Sequence, residues 1–236
     1  MTFKDRKILV TGASRGIGRA IAETLIQEGA TVIGIARNFS TWNEPPENFL
    51  SLQLDLTRLS ELPAAIKTLA GQHSDINGIV FNAGEGRFGS LEEFSPTQIQ
   101  HLVDLNLTSQ ILLARELLPN MKRRGKGDLI FMGSEAALSG SRKGAVYCAT
   151  KFALRGFAQS LREECSNSGV RSTIINPGMV KTGFFDPLSF EPGDADENYI
   201  LPQDVADAVL TVLSARPGTC FDEINLSPLK TVIKFK

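Results

Sequence analysis

The chain is poor in the residues that build metal centres and covalent frameworks. Three cysteines, Cys148, Cys165 and Cys220, are widely spaced and form no C-x-x-C pair, which argues against a disulfide framework or a zinc site. The two histidines, His73 and His101, have no partner at ligand spacing, so no catalytic metal is expected. Charge of one sign is also missing. Lys and Arg number 25 against 26 Asp and Glu, a net charge of −1, and nothing at the whole-chain level attracts nucleic acid or an acidic membrane. No apolar run reaches the ~20 residues that span a bilayer. Near the N-terminus the apolar stretch is only Ile8-Leu9-Val10, too short for a signal-peptide core. A cytoplasmic protein is the expectation. There is no internal repeat, low-complexity tract or linker to divide residues 1–236, so one domain is expected.

What is present is an alternation of short β-branched runs with amphipathic stretches. Strands are predicted at Lys7–Thr11, Thr31–Ala36, Leu50–Asp55, Ile76–Asn82, Asp128–Gly133, Val170–Asn176 and Phe221–Leu226. Several are continuously apolar, as in strands covered on both faces. Helices are predicted between them. One runs from about Gly16 to Glu28 and stops at Gly29, and Arg58–Ala70 is followed by Gly71. Another starts at Ser95-Pro96 and continues through Asn106 to about Arg124, with Pro119 expected to bend or interrupt it. Two more cover about Ala145 to Asn167 and Pro202 to Leu213. Strand–helix alternation implies parallel strands with crossover helices. The fold class is α/β: a Rossmann-like, doubly wound, mainly parallel seven-stranded sheet with helices on both faces. The longest irregular stretch, 177–201, carries Phe184, Phe185, Phe190 and Tyr199 and reads as a substrate lid. The tail Leu229–Lys236 alternates apolar and basic residues and is expected to pack on a neighbouring subunit.

The first predicted strand runs into Thr11-Gly12-Ala13-Ser14-Arg15-Gly16-Ile17-Gly18, and a helix follows. Glycines there let the backbone turn tightly and approach a pyrophosphate, and the helix N-terminus offers it N–H groups and partial positive charge. The spacing is G-x-x-x-G-x-G rather than G-x-G-x-x-G. An acid at the end of the second strand would bind the ribose 2′-hydroxyl of NAD. This chain has Ile35-Ala36-Arg37-Asn38 there. Arg37 can pair with a 2′-phosphate, and Arg15 can reach it from the glycine loop. The expected cofactor is therefore NADP(H).

Tyr147 and Lys151 are four apart on a predicted helix, which puts them on one face. An adjacent ammonium favours phenolate, and drawing a phenol from ~10 to about 7 takes roughly 4 kcal/mol. Such a phenol is a general acid near neutral pH. Ser134 closes the fifth predicted strand, at the carboxyl end where open α/β sheets bind ligands, and can hydrogen-bond a substrate oxygen.

With these motifs the chain resembles the short-chain dehydrogenase/reductase family over nearly its whole length. The match follows the family's order: the loop at 11–18, Asp55, Asn82-Ala83-Gly84 with Gly86, Asn106, Ser134, Tyr147, Lys151 and Pro177-Gly178. Ser134 and Tyr147 are 13 positions apart, as is usual there. The resemblance implies that Tyr147 is the acid/base and that Ser134 orients and polarises the carbonyl. Lys151 would hold the nicotinamide ribose and tune Tyr147. Asn106 would position a water in a proton relay through a local irregularity of its helix. Asp55, followed by Leu56, would contact the adenine or cap a helix. Asn82, Ala83 and Gly84 would border the adenosine ribose and phosphates, or Asn82 would tie strands together. Pro177, Gly178, Val180 and Thr182 would lie near the carboxamide or phosphates. The implied substrate is a small carbonyl compound or alcohol: a ketone, a 3-oxo or 3-hydroxy acid, or a pteridine-like carbonyl. Further pocket candidates are Glu85, Arg87, Phe88, Glu135, Arg142, Met179 and Phe184. A homodimer or homotetramer is implied, built partly from the helices carrying Asn106 and Tyr147. A non-catalytic NADP(H) sensor on the same fold would have no need of the Ser134, Tyr147, Lys151 and Asn106 set.

Overall fold

A computed structural model describes residues 3–40, 42 and 44–236. The described strands are β1 (Lys7–Thr11), β2 (Thr31–Ala36), β3 (Phe49–Gln53), β4 (Gly78–Phe81), β5 (Gly127–Met132), β6 (Val170–Pro177), β7 (Phe190–Pro192), β8 (Glu223–Leu226) and β9 (Ile233–Phe235). The described α-helices are α1 (Gly16–Gln27), α2 (Leu62–Gln72), α3 (Pro96–Val103), α4 (Ser109–Arg124), α5 (Ala145–Cys165) and α6 (Pro202–Ser214). Seven strands make one sheet in the order β3-β2-β1-β4-β5-β6-β8, and every pairing is parallel. This is the predicted Rossmann-like α/β sheet.

The central strands are apolar along their length because both faces are covered. On one face Leu9, Ile33, Phe81 and Phe131 pack under α2, α4 and α5, with the Phe81 and Phe131 rings stacked at 4.4 Å. On the other, Ile8, Val10, Val32 and Val80 pack under α1 and α6. The chain leaves β1 for β2 and β3 on one side, then returns to β4 on the other. That reversal opens a crevice at the carboxyl ends of β1 and β4, where such sheets bind ligands.

The long helix predicted from Ser95 is not interrupted at Pro119 but broken around Asn106. Ser95 caps α3, its Oγ accepting from Gln98 N at 3.2 Å while Gln98 Oε1 accepts from Ser95 N at 3.0 Å. One π-helical turn, Asp104–Thr108, then separates α3 from α4. Pro119 lies inside α4, which runs on through it to Gly125 at φ +65°.

One further expectation is corrected by pairing within the chain. The 177–201 segment is not wholly irregular, since it contains β7. The tail supplies β9, which pairs antiparallel with β7 and so packs on its own chain. Lys236 N donates to Ser189 O at 2.9 Å, and its Nζ donates to Phe185 O at 2.8 Å.

At the amino end of β5, Asp128 takes two guanidinium groups, Arg6 Nη2 at 2.5 Å and Arg171 Nε at 2.6 Å, with its own side chain 4% exposed. Removing a buried carboxylate strands both cations. Asp128→Ala should therefore destabilise the fold by about 3 kcal/mol, read as a fall in the denaturation midpoint at unchanged m value. A loss under ~1 kcal/mol would show the pairs to be solvated.

Candidate active site

A cavity of about 1150 Å³ occupies the crevice. Its volume exceeds the ~300–1,000 Å³ usual for a small-ligand pocket. Of the catalytic and cofactor-binding residues predicted from the sequence, all but Gly18 and Asn106 line it.

At one end lies the turn from β1 into α1. Gly12 and Gly16 have φ of +69° and +56°, a left-handed backbone that favours glycine. Arg15 makes no side-chain cap, and no acid stands in the first turn of α1. The helix therefore presents its N-terminal N–H groups and positive dipole end to an anion. Asn82 stands behind the loop, its Nδ2 donating to Thr11 O at 2.9 Å. Asn82 N and Ala83 N both donate to Thr11 Oγ1 at 2.9 Å. Asn82 thus ties β4 to β1 and backs the turn. The Thr182 methyl carbon lies 3.5 Å from where a Cβ on Gly16 would stand, so 177–182 closes over the loop.

The far corner holds Arg37 and Asp55. Arg37 is exposed at the end of β2, and its charge helps lower the Asp55 pKa. The larger cause is a hydrogen bond: the carboxylate accepts from Thr57 N at 3.0 Å, and also from Thr57 Oγ1 at 2.8 Å. Asp55 therefore fixes the turn after β3, with α2 starting only at Leu62.

The opposite end gathers Ser134, Tyr147 and Lys151. Ser134 is extended at the end of β5, and its Oγ accepts from Ala136 N at 3.1 Å. Tyr147 and Lys151 share one face near the start of α5, and both are buried. The Lys151 ammonium donates to Met132 O at 2.9 Å and lies 5.8 Å from the Tyr147 ring centroid. Burial lowers its pKa to about 8. Tyr147 moves opposite to the sequence expectation. Burial pushes the phenol up to about 12, and an interaction with the Ser134 hydroxyl offsets this only partly. The ammonium is spent on a carbonyl rather than on the phenol, so the protein's own groups keep the proton on Tyr147.

Asn106 is fully buried in the π-helical turn, the irregularity the sequence resemblance implied. Its Oδ1 accepts from Glu85 N at 3.0 Å, and its Nδ2 donates to Glu85 O at 2.9 Å and Thr150 Oγ1 at 3.2 Å. The Asn106 carbonyl accepts from Gln110 Nε2 at 2.9 Å. The side chain thus splints the 82–85 loop against α5. A Cβ on Gly84 would lie 3.1 Å from Asn106 Oδ1 and 3.8 Å from Lys151 Nζ.

Sequence reasoning missed Met132, whose role is carried by its carbonyl, along with Gln110 and Thr150. It also missed the aromatic wall as a unit. Phe88 lies 5.3 Å and Phe184 6.2 Å from the Tyr147 ring, centroid to centroid. Phe190 packs on Phe88 at 5.0 Å and on Phe185 at 5.9 Å. The β7–β9 pair holds this wall in place. Of the earlier pocket candidates, Glu85, Phe88, Glu135, Arg142, Met179 and Phe184 line the cavity, whereas Arg87 does not.

A glycine turn at a strand-order reversal, with a phenol and an ammonium facing it across one crevice, belongs to the dinucleotide-binding oxidoreductases. Within that class the chain belongs to the short chain dehydrogenase family, whose profile matches residues 6–191. It is 30% identical to dehydrogenase/reductase SDR family member 11 of Mus musculus over 251 residues, covering 98% of this chain and 96% of that protein. Among solved structures it is similar to an alcohol dehydrogenase from the archaeon Thermococcus sibiricus complexed with 5-hydroxy-NADP. The TM-score is 0.83 at 27% identity, covering 94% of this chain and 95% of that one. It is also similar to a metagenomic short-chain oxidoreductase in complex with NADP, with a TM-score of 0.79 at 28% identity, covering 97% and 99%. Among the described residues no helix is long and apolar enough to cross a membrane.

Proposed function

We propose that this chain is an NADP(H)-dependent oxidoreductase that interconverts a small carbonyl compound and its secondary alcohol, with Tyr147 as general acid/base. The observation that carries the reading is the placement of Ser134, Tyr147 and Lys151 at one end of a cavity whose other end offers a glycine turn and Arg37. The open glycine turn, uncapped by any acid, suits a pyrophosphate. When bound, the dinucleotide supplies the hydride for reduction and takes it up in oxidation.

In this reading the backbone from Gly12 to Gly18 holds the pyrophosphate, and Arg37 with Arg15 holds the 2′-phosphate. Asp55 and Leu56 border the adenine, and Asn82, Ala83 and Gly84 its ribose. Pro177, Gly178, Val180 and Thr182 border the carboxamide. Lys151 Nζ, anchored on Met132 O, reaches the ribose hydroxyls beside the nicotinamide. The Ser134 hydroxyl donates to the substrate carbonyl oxygen and polarises it. Tyr147 would deliver its proton to that oxygen as the carbonyl is reduced. In the oxidative direction Tyr147 takes the proton back. Asn106 acts as a positioning residue through the 82–85 loop. A homodimer or homotetramer joined through α4 and α5 belongs to the same reading.

The direct test is loss of NADPH absorbance against ketones, 3-oxo acids and pteridine-like carbonyls. Turnover of at least one class is expected, and NADPH binding without turnover across the panel would favour a sensor. The cofactor assignment has its own test in Arg37→Asp. One charge-assisted contact to phosphate contributes about 2 kcal/mol, so the kcat/KM ratio for NADPH over NADH should fall about thirtyfold. Equal losses with both cofactors would remove Arg37 from the phosphate site.

A further inference from the structure

Glu135 directly follows Ser134 and lines the same end of the cavity, without a direct role in the proposed proton transfer. It opens the short helical turn Glu135–Ala137 that Ser134 caps. Its Oε2 lies 3.0 Å from where a Cβ on Gly178 would stand, so the carboxylate fills space that a glycine leaves beside 177–178. The side chain is exposed to the cavity, but the surrounding walls raise its pKa, and no cation draws it back down. Its charge reaches the reacting end, where it helps to hold the proton on Tyr147.

The other acids lining the cavity are already engaged. Glu85 faces His101 at 3.2 Å, Glu93 accepts from Ser90 N at 3.0 Å, and Asp55 holds Thr57. Of the cations lining the cavity, Lys151 is held on Met132 O, Arg15 and Arg37 stand at the glycine-turn end, and Arg142 and Lys143 are exposed to solvent, which screens them. Aromatic rings also line the cavity: Phe88, Phe184, Phe185 and Phe190 with Tyr147. Among the described residues no cation pairs with Glu135, and a carboxylate sharing a cavity with aromatic rings is a recognition set for an ammonium group. The carboxylate accepts its N–H, and ring faces attract its charge.

Resting on the reading of this cavity as a carbonyl-reduction site, we propose that the substrate carries a protonated amine, which Glu135 binds while the aromatic wall packs on its carbon frame. Glu135 is then the specificity-determining residue. Its neighbour Ser134 holds the reacting oxygen, so the amine sits within a few bonds of the carbonyl.

The test uses three aryl ketones with side chains matched in length, ending in dimethylammonium, in the isosteric isopropyl group or in carboxylate. The wild-type kcat/KM is expected to favour the ammonium compound about tenfold over the isopropyl compound, with the carboxylate compound poorest. In Glu135→Gln that tenfold ratio should collapse to about one, and in Glu135→Asp, which keeps the charge, part of it should remain. Thermal denaturation of both variants reports whether the fold is kept. If the wild type prefers the isopropyl or carboxylate ketone, or if Glu135→Gln keeps the ammonium preference, the inference is wrong while the carbonyl-reductase reading stands. If none of the ketones is reduced while other carbonyls are, the inference fails alone. If no carbonyl of any class is reduced, both fall together.

Discussion

Tyr147→Phe should lower kcat for carbonyl reduction about a thousandfold, within the 10²–10⁴ range of general acid catalysis, while NADPH binding survives. The substitution removes one oxygen and leaves the ring. That ring keeps its contacts with Phe88 and Phe184, at 5.3 and 6.2 Å between centroids, so the pocket wall and the start of α5 stay in place. What disappears is the proton. Burial pushes the phenol up to about 12, so the hydroxyl is fully protonated at neutral pH and ready to donate. The Ser134 hydroxyl can still polarise the carbonyl in the variant, which accounts for residual rather than zero turnover. Single-turnover hydride transfer with saturating NADPH would measure the loss directly, and fluorescence titration would check the binding. Turnover near the wild-type rate would reject Tyr147 as the proton donor.

How well the sequence could be read depended on how local each cause is. The central strands declared themselves because burial on both faces demands continuous apolar runs, as in Ile8-Leu9-Val10 and Ile79-Val80-Phe81. The glycine turn was legible because positive φ at Gly12 and Gly16 needs glycine. Ser134, Tyr147 and Lys151 emerged from spacing along one strand end and one helix face. Features set by distant partners were not legible. The short β7 and β9 strands exist through pairing of Phe190–Pro192 with Ile233–Phe235, and the alternation of the tail does not say which segment it pairs with. The site of the helix break was legible only through the resemblance at Asn106, not from local signals. Pro119 is the visible local signal, yet the break lies at Asp104–Thr108, where the Asn106 side chain is bonded to Glu85 across 21 positions. The Lys151 contribution to the Tyr147 pKa was misjudged for a related reason. The sequence shows a lysine four residues on, but not that Lys151 spends its ammonium on Met132 O or how deeply both groups are buried.

Gly18→Ala should raise the NADPH dissociation constant about thirtyfold, because losing one charge-assisted N–H contact to phosphate costs about 2 kcal/mol. Gly18 does not line the cavity; it supports the loop that does. A Cβ there would stand 2.3 Å from Gly12 O and 2.5 Å from Asn82 Nδ2. The first neighbour is backbone and cannot rotate aside. The second is held in place by its hydrogen bond to Thr11 O. The added methyl must therefore move the Gly12 turn itself, with its N–H groups and the mouth of α1. Gly156→Ala is the control. Gly156 is exposed on α5, and a Cβ there meets nothing within 4 Å. Alanine at that position should stabilise the helix by about 0.5–1 kcal/mol without altering NADPH affinity. Calorimetric titration of both variants separates the effects. Wild-type affinity in a folded Gly18→Ala protein would mean that the phosphates are held elsewhere, since no smaller movement of Gly12 can admit that carbon.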